Sequence, residues 1–169
     1  MALLLSSQYQ EKIKSVVTIN AAIKVKDIRI NIASAVSNLN DLLNKIHLDG
    51  LLKNFIETKP QNPEFNYNKN YIHAIGELSS LMEKCRKNLC NINIPTLIVQ
   101  NPEDPVINHK SAEIIHNEII SQAKEILKPK LTKDLEKKHV ITHVYQPYFD
   151  DILDFINTQS SWTSSQRGF

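Results

Sequence analysis

A carboxylate and an imidazole stand where a parallel β-sheet would bring them together. Asp104 lies in a turn after residues 96–100, the strongest strand pattern of the sequence, and is bracketed by Pro102 and Pro105. His139 follows 35 positions later, in the last connection between a predicted strand and a predicted helix. In open parallel sheets, functional groups gather at the carboxyl ends of the strands. An acid that orients an imidazole, which in turn takes the proton of a serine, corresponds to two members of a Ser-His-Asp triad.

The serine that would complete such a triad has no matching turn in these residues. The sequence contains three glycines, Gly50, Gly76 and Gly168, whereas average usage is about 7%. Tight catalytic turns and phosphate-binding loops need glycine for positive φ and close backbone approach. No GxSxG, GxGxxG or GxxxxGK motif can be written in this sequence. Chemistry that depends on such a turn is therefore absent or supplied by residues outside these 169.

Other side chains compete for each role. Ser6 and Ser7 lie in a predicted helix without a flanking glycine, so neither has the strained turn that exposes a nucleophile, and Ser111 is expected in the turn that opens a helix. Glu103 is the rival acid and His143 the rival base. The remaining histidines, which we expect on solvated helical segments, are His47, His73, His109 and His116.

The elements that must position these residues alternate between strands and helices. Short β-branched or apolar runs predict strands, and apolar residues at helical spacing predict amphipathic helices. The predicted strands are 14–19, 96–100 and 124–127, and the predicted helices are 2–9, 28–46, 51–57, 71–87, 109–124 and 148–157. Segments 59–69 and 101–105 are predicted to be a loop and a turn, and the charged segment 129–138 a solvated loop or helix. This alternation is typical of a parallel sheet with helical crossovers.

Composition narrows the class of protein. The length of 169 residues suits one domain with a core. Lys and Arg total 20 against 18 for Asp and Glu, a net charge of +2 without a charged block, which argues against nucleic acid as a partner. Two cysteines, Cys85 and Cys90, are too few for a metal site, and we expect reduced thiols in a cytoplasmic protein. No apolar run approaches the roughly 18 residues of a membrane span, and no signal peptide is recognisable.

The segments around Asp104 and His139 resemble those of one hydrolase family. Residues 94–119, IPTLIVQNPEDPVINHKSAEIIHNEI, are similar to the strand, acid turn and helix of bacterial carboxylesterases of the α/β-hydrolase superfamily, which are related to monoacylglycerol lipases and serine aminopeptidases of the S33 type. Residues 139–142, HVIT, resemble the segment that contains the general base. Segments 150–156 and 2–21 are similar to the closing helix and to the helix and strand after the nucleophile. The resemblance implies that residues 24–70 form the helical cap over the substrate pocket.

The resemblance implies a fold, an activity and a site. It implies an α/β fold: about three strands from the C-terminal part of an α/β-hydrolase sheet, with flanking helices and a helical cap, in a single partial domain over residues 1–169. It implies hydrolysis of a small carboxylic ester or lipid-like substrate with Asp104 as acid, His139 as base and no metal or organic cofactor. Two departures are Lys138, where the family usually has glycine, and the longer, more charged segment 120–138.

Because the family's nucleophile and oxyanion donors come from its N-terminal half, two hypotheses stay open. The chain is expected either to be an incomplete esterase that is inactive alone, or to be a non-enzymatic binding or assembly module. In the second case the edge of the first strand would pair with a separate N-terminal half or with a second copy.

Overall fold

The computed structural model describes residues 1–27, 55–57, 68–142 and 146–166, with positions 36, 39 and 45, and side chains as far as residue 159. The chain divides into two compact units, Met1–Lys26 with Lys84–Phe169, and Asp27–Glu83. The helix predicted over 28–46 lies outside the described residues, except for those three isolated positions. The assignment of 24–70 as a cap stays a prediction.

In the first unit, the described helices and strands follow the alternation predicted from the sequence. In chain order, the described elements of both units are α1 (Ala2–Gln8), β1 (Val16–Ile19), β2 (Phe55–Glu57), β3 (Lys69–Tyr71), α2 (Ile72–Lys87), β4 (Thr96–Val99), α3 (Lys110–Glu118), β5 (Lys124–Leu127), α4 (Lys133–Glu136) and α5 (Tyr148–Gln166). Short 3₁₀ turns at Gln10–Lys12 and Leu89–Asn91 follow α1 and α2.

The first unit contains a three-stranded parallel sheet in the order β1-β4-β5. The central strand β4 has the sequence TLIV, and all four side chains are buried. A continuous apolar run is what a parallel strand covered on both faces requires. The register places Val99 beside Ile19 of β1 and beside Leu127 of β5, so the carboxyl ends of the three strands are level.

Each face of this sheet has its own core, because successive side chains of a strand point to opposite faces. Val16 and Ile98 belong to the first core, which is covered by α1, by α3 and by the last turn of α2. The fully buried Leu89, Ile92 and Ile115 belong to the same core. The alternate residues Leu97 and Val99 belong to the second core. Its other buried members are Ile141, Tyr148 and Phe155, the last two from α5.

Two predicted helices are wrong in part. The apolar spacing predicts a helix throughout 109–124, but α3 ends at Glu118 and Ile119 is extended. The next two backbone N–H groups, of Ile120 and Ser121, donate to the carbonyl of Ile92 at 3.0 and 3.2 Å. Because these two N–H groups donate to a distant carbonyl, they do not form helical hydrogen bonds, and the chain continues to β5. The apolar spacing past Glu118 therefore does not produce a helix.

The second correction concerns residues 51–57, predicted as a short helix. Phe55–Glu57 is the strand β2, antiparallel to β3. Phe55 lies opposite Tyr71, with ring centroids 6.4 Å apart in an edge-to-face arrangement, and the Lys69 ammonium lies 4.6 Å from the Phe55 ring centroid. Such cross-strand contacts with distant residues stabilise a strand that the local sequence does not reveal.

Candidate active site

Asp104 is held in a tight turn at the carboxyl end of β4. Its side chain has no solvent exposure. One carboxylate oxygen, Oδ1, accepts the backbone N–H groups of Val106 and Ile107 at 2.7 and 2.8 Å. Aspartate favours such turns because its side chain can bond the backbone two residues onward. These local bonds fix the carboxylate and leave the second oxygen, Oδ2, directed at another part of the chain.

That second oxygen meets His139. The imidazole Nδ1 lies 2.8 Å from Asp104 Oδ2. His139 stands in an irregular segment after α4, and its side chain is 37% exposed, so the ring is partly in solvent while its acidic partner is buried. When Nδ1 donates its proton to a carboxylate, the lone pair of the neutral ring is on Nε2.

The electrostatics of this pair favour an ion pair. Burial of Asp104 raises the pKa of its carboxyl group, but the hydrogen bond from His139 and the backbone N–H bonds from Ile107 and Val106 outweigh burial, so the net pKa lies below 3.8. For His139, the hydrogen bond to Asp104 raises the pKa above 6.5 against the lowering effect of burial. The carboxylate therefore stabilises an imidazolium, the form that a general base adopts after it accepts a proton.

The competing residues have other partners or positions. Glu103 lies in the same turn as Asp104, but its side chain is exposed. Ser6 is buried within α1, Ser7 Oγ donates to the Leu4 carbonyl at 2.8 Å, and Ser111, buried in α3 rather than in the turn before it, bonds the backbone of Lys24. His73 and His109 are exposed and His116 is half-buried, while His47 and His143 lie outside the described residues. The structure thus brings Asp104 and His139 together, and their catalytic role stays a prediction.

Two buried amides beside this pair, Asn20 and Asn101, were not predicted from the sequence. Asn20 directly follows β1, and Asn101 lies two residues beyond the end of β4. Both lie at the same edge of the sheet, with exposed fractions of 6% and 1%. The Asn20 amide donates to the His139 carbonyl at 2.8 Å. Their position after predicted strands could have indicated them in the sequence, because polar residues at the carboxyl ends of parallel strands are candidates for a functional site.

Neither a metal-binding cluster nor a membrane-spanning helix occurs in the part of the chain that the structure describes. Within it, no group of three or more His, Cys, Asp or Glu side chains has an arrangement that could hold a metal ion. Among its helices, none combines the length and apolar character needed to cross a membrane.

Two of the solved structures with a similar fold are of lipolytic enzymes. One comes from work on LipS and LipT, two metagenome-derived lipolytic enzymes. It is 20% identical to this chain and has a TM-score of 0.66, and the match covers 90% of this chain and 56% of that one. A second is a monoacylglycerol lipase of Paleococcus ferrophilus, which is 18% identical and has a TM-score of 0.57; the match covers 96% of this chain and 63% of that one. The chain therefore spans little more than half of either solved chain.

Sequence comparison identifies the family. A search of curated proteins found no significant match. The family model described as serine aminopeptidase, S33, matches residues 1–128, a range that includes Asp104 and ends before His139. Together with the parallel sheet, this match confirms the predicted fold: the chain belongs to the serine aminopeptidase S33 family of α/β hydrolases.

Proposed function

We propose that this chain provides the acid and the base of a serine carboxylesterase. In this proposal Asp104 orients His139, and His139 acts as general base and then as general acid. The observation that supports it is the 2.8 Å contact between His139 Nδ1 and a carboxylate oxygen of the fully buried Asp104. The lipolytic enzymes among the structural neighbours favour an ester with an acyl chain as the substrate.

The proposed reaction uses the two ring nitrogens of His139 differently. A serine Oγ attacks the ester carbonyl carbon while Nε2 takes the hydroxyl proton, and the resulting imidazolium is stabilised through Nδ1 by Asp104. The same proton then passes to the leaving alcohol. In the second half of the reaction, Nε2 takes a proton from a water molecule while the water oxygen attacks the acyl-enzyme carbonyl. The proton then passes to the serine oxygen, which frees the serine and releases the carboxylic acid.

The serine is proposed to come from residues outside these 169. No GxSxG motif occurs in them. Two buried serines do not suit the role of nucleophile: Ser6 is buried within a helix, and the Ser111 hydroxyl is hydrogen-bonded to the backbone of Lys24. We therefore expect the 169-residue chain to be inactive by itself. Loss of the nucleophile alone lowers the rate by several orders of magnitude.

Hydrolysis of p-nitrophenyl butyrate tests this proposal in two steps. The purified chain alone should release p-nitrophenol no faster than Asp104→Ala. Mixed with a polypeptide that contains the GxSxG segment of a family member and binds the chain, it should become active, and His139→Gln should abolish that activity. Activity of the isolated chain that Asp104→Ala removes would mean that one of these 169 residues is the nucleophile. Activity of the mixture that His139→Gln leaves unchanged would refute the role of His139.

An assembly module is the second candidate, favoured by the edge of β1. In the described part of the chain β1 pairs with β4 alone. Because the N–H groups of Val16 and Asn20 donate to the carbonyls of Pro95 and Val99, the alternation of a parallel ladder directs those of Val17 and Ile19 to the open edge. We propose that a parallel strand of the nucleophile-bearing segment pairs there, in keeping with the 56% and 63% of the neighbours that the chain spans.

A proline substitution tests the edge. Val17→Pro removes a backbone donor from the outer edge and leaves the β1–β4 bonds in place, so it should abolish binding of the GxSxG polypeptide, whereas Val17→Ala should not. Equal binding by both variants would exclude pairing at this edge. A dimer of the chain alone that Val17→Pro dissociates would instead assign the edge to a second copy.

A further inference from the structure

The segment that holds His139 forms neither a strand nor a helix in the described structure. We call residues 137–142 the base loop; within the described structure they form a turn and irregular backbone between α4 and α5. Since no strand or helix fixes them, the position of the imidazole depends on bonds to other parts of the fold. Carbonyl groups in and just before this loop receive such bonds from two asparagine side chains.

Asn101 joins the base loop to the turn of Asp104. Its amide nitrogen donates to the carbonyls of Glu136 and Lys138 at 2.8 and 3.1 Å. Glu136 ends α4, where helix carbonyls lack partners within the helix. On the other side, Asn101 Oδ1 accepts the Glu103 N–H at 3.0 Å, and its carbonyl accepts the Asp104 N–H at 3.2 Å. One residue, 1% exposed, therefore bonds the segments that hold both partners of the pair.

Asn20, which directly follows β1, adds another bond to the backbone of the base loop. Its backbone has φ 47°, in the left-handed region that asparagine tolerates better than most residues. Its amide nitrogen donates to the His139 carbonyl at 2.8 Å, and its Oδ1 accepts the Asn101 N–H at 2.8 Å and the Gln100 amide at 3.4 Å. Glycine would accommodate this backbone conformation but could not donate to His139.

We infer that Asn20 and Asn101 form an amide clamp that positions His139 against Asp104. The inference rests on the proposed function, because it assigns a role to residues that support the acid and the base. The clamp contacts the backbone of the base loop, and Asp104 contacts the imidazole. Asn20 and Asn101 are positioning residues: they set where the imidazole stands relative to the carboxylate.

The pKa of His139 reports on that placement, because the hydrogen bond to Asp104 raises it above its ordinary value against the opposing effect of burial. Histidine ring signals of the 169-residue chain can be followed by NMR through a pH titration, with His139→Gln identifying one signal among the six histidines. Asn20→Gly removes the side chain while permitting positive φ, and Asn101→Leu replaces the amide by an apolar group of similar size. Both should lower the pKa of His139 toward 6.5.

Hydrogen exchange gives a second measure of the same loop. A lost hydrogen bond of ordinary strength raises the population of an open segment roughly five- to tenfold. The N–H of Lys138, which donates to the Leu135 carbonyl, should therefore exchange faster by about that factor in Asn20→Gly. If Asn101→Leu does not fold, Asn20→Gly decides the outcome by itself.

Ser111→Ala is the matched control. Ser111 is also buried and also joins separate segments, through bonds at 2.9 and 2.8 Å to the Lys24 backbone, but those bonds do not involve the base loop. The substitution should lower stability and leave the pKa of His139 unchanged. An unchanged pKa in both asparagine variants would refute the clamp. Failure of the proposed pairing would look different, because Asp104→Asn would then leave the pKa of His139 unchanged.

Discussion

Replacing Asp104 by alanine should lower the free energy of unfolding by about 2–5 kcal/mol, because it removes a fully buried carboxylate that accepts hydrogen bonds from Val106, Ile107 and His139. The hydrogen bonds that Asp104 makes account for this sum. Without the carboxylate, the Ile107 N–H stays buried without an acceptor, which costs about 1–3 kcal/mol, and the half-buried Val106 N–H adds about 1 kcal/mol. The bond to His139 contributes less than a fully buried charged bond, because the ring is 37% exposed and can turn to water.

Asparagine at the same position separates these contributions. Asp104→Asn keeps an oxygen that can accept the N–H groups of Val106 and Ile107, and it removes the negative charge that stabilises the protonated form of His139. Its cost should therefore be smaller, about 1–2 kcal/mol. Urea unfolding followed by circular dichroism measures both variants. Equal losses for alanine and asparagine would refute the claim that Asp104 has two separate structural roles.

The pH dependence of the asparagine effect follows from the direction of each pKa. The pKa of Asp104 is lowered in the folded state, so its contribution is present above 3.8 and is lost as pH falls through the folded value. The pKa of His139 is raised, so its contribution is complete below 6.5 and is lost as pH rises through the folded value. The difference between wild type and Asp104→Asn should be largest between 3.8 and 6.5. A difference that stays constant through the titration of His139 would refute the ion pair.

Three other predictions concern the core and the thiols. Ile115→Ala should lower the free energy of unfolding by about 2–5 kcal/mol in urea, because Ile115 is fully buried against the sheet. Tyr148→Phe should cost about 1–2 kcal/mol in the same assay, since the tyrosine hydroxyl donates to the carbonyl of buried Ile141 at 3.1 Å; no loss would show that water replaces this donor. Iodoacetamide should modify exposed Cys90 in the folded chain and Cys85 only on unfolding, because Cys85 is 6% exposed and burial raises its thiol pKa. Equal rates by mass spectrometry would contradict that burial.

The strands were predictable where local composition and tertiary environment agree. Residues 96–99 are mostly apolar and β-branched, and they form the central strand, covered on both faces. The weaker pattern at 124–127 also forms a strand. By contrast, the apolar spacing of Ile115, Ile119 and Ala123 continues a helical pattern past the point where α3 ends. The bonds from Ile120 and Ser121 to Ile92 compete with that helix, and nothing near residue 120 in sequence signals them.

The contact between Asp104 and His139 was predictable for a topological reason. Asp104 follows β4, His139 lies in the connection that follows β5, and the carboxyl ends of neighbouring parallel strands meet at one edge. The amides of Asn20 and Asn101 lie after strands as well, but asparagine after a strand is usual in turns. What distinguishes these two is burial and the choice of distant carbonyl acceptors, which depend on the assembled fold.

The two members of the pair are consequently fixed at different levels of the structure. Asp104 is held by backbone donors two and three residues away, so its geometry belongs to the turn itself. The base loop and the adjoining end of α4 are held by amide bonds that span 35, 37 and 119 residues of the chain, so the geometry of the loop requires that β1, β4 and α4 be packed together. Local opening costs less free energy than global unfolding, and the loop with distant supports is the part that such opening releases first. Substitutions that loosen the packing of β1 or α4 should therefore displace the base while the acid remains in place.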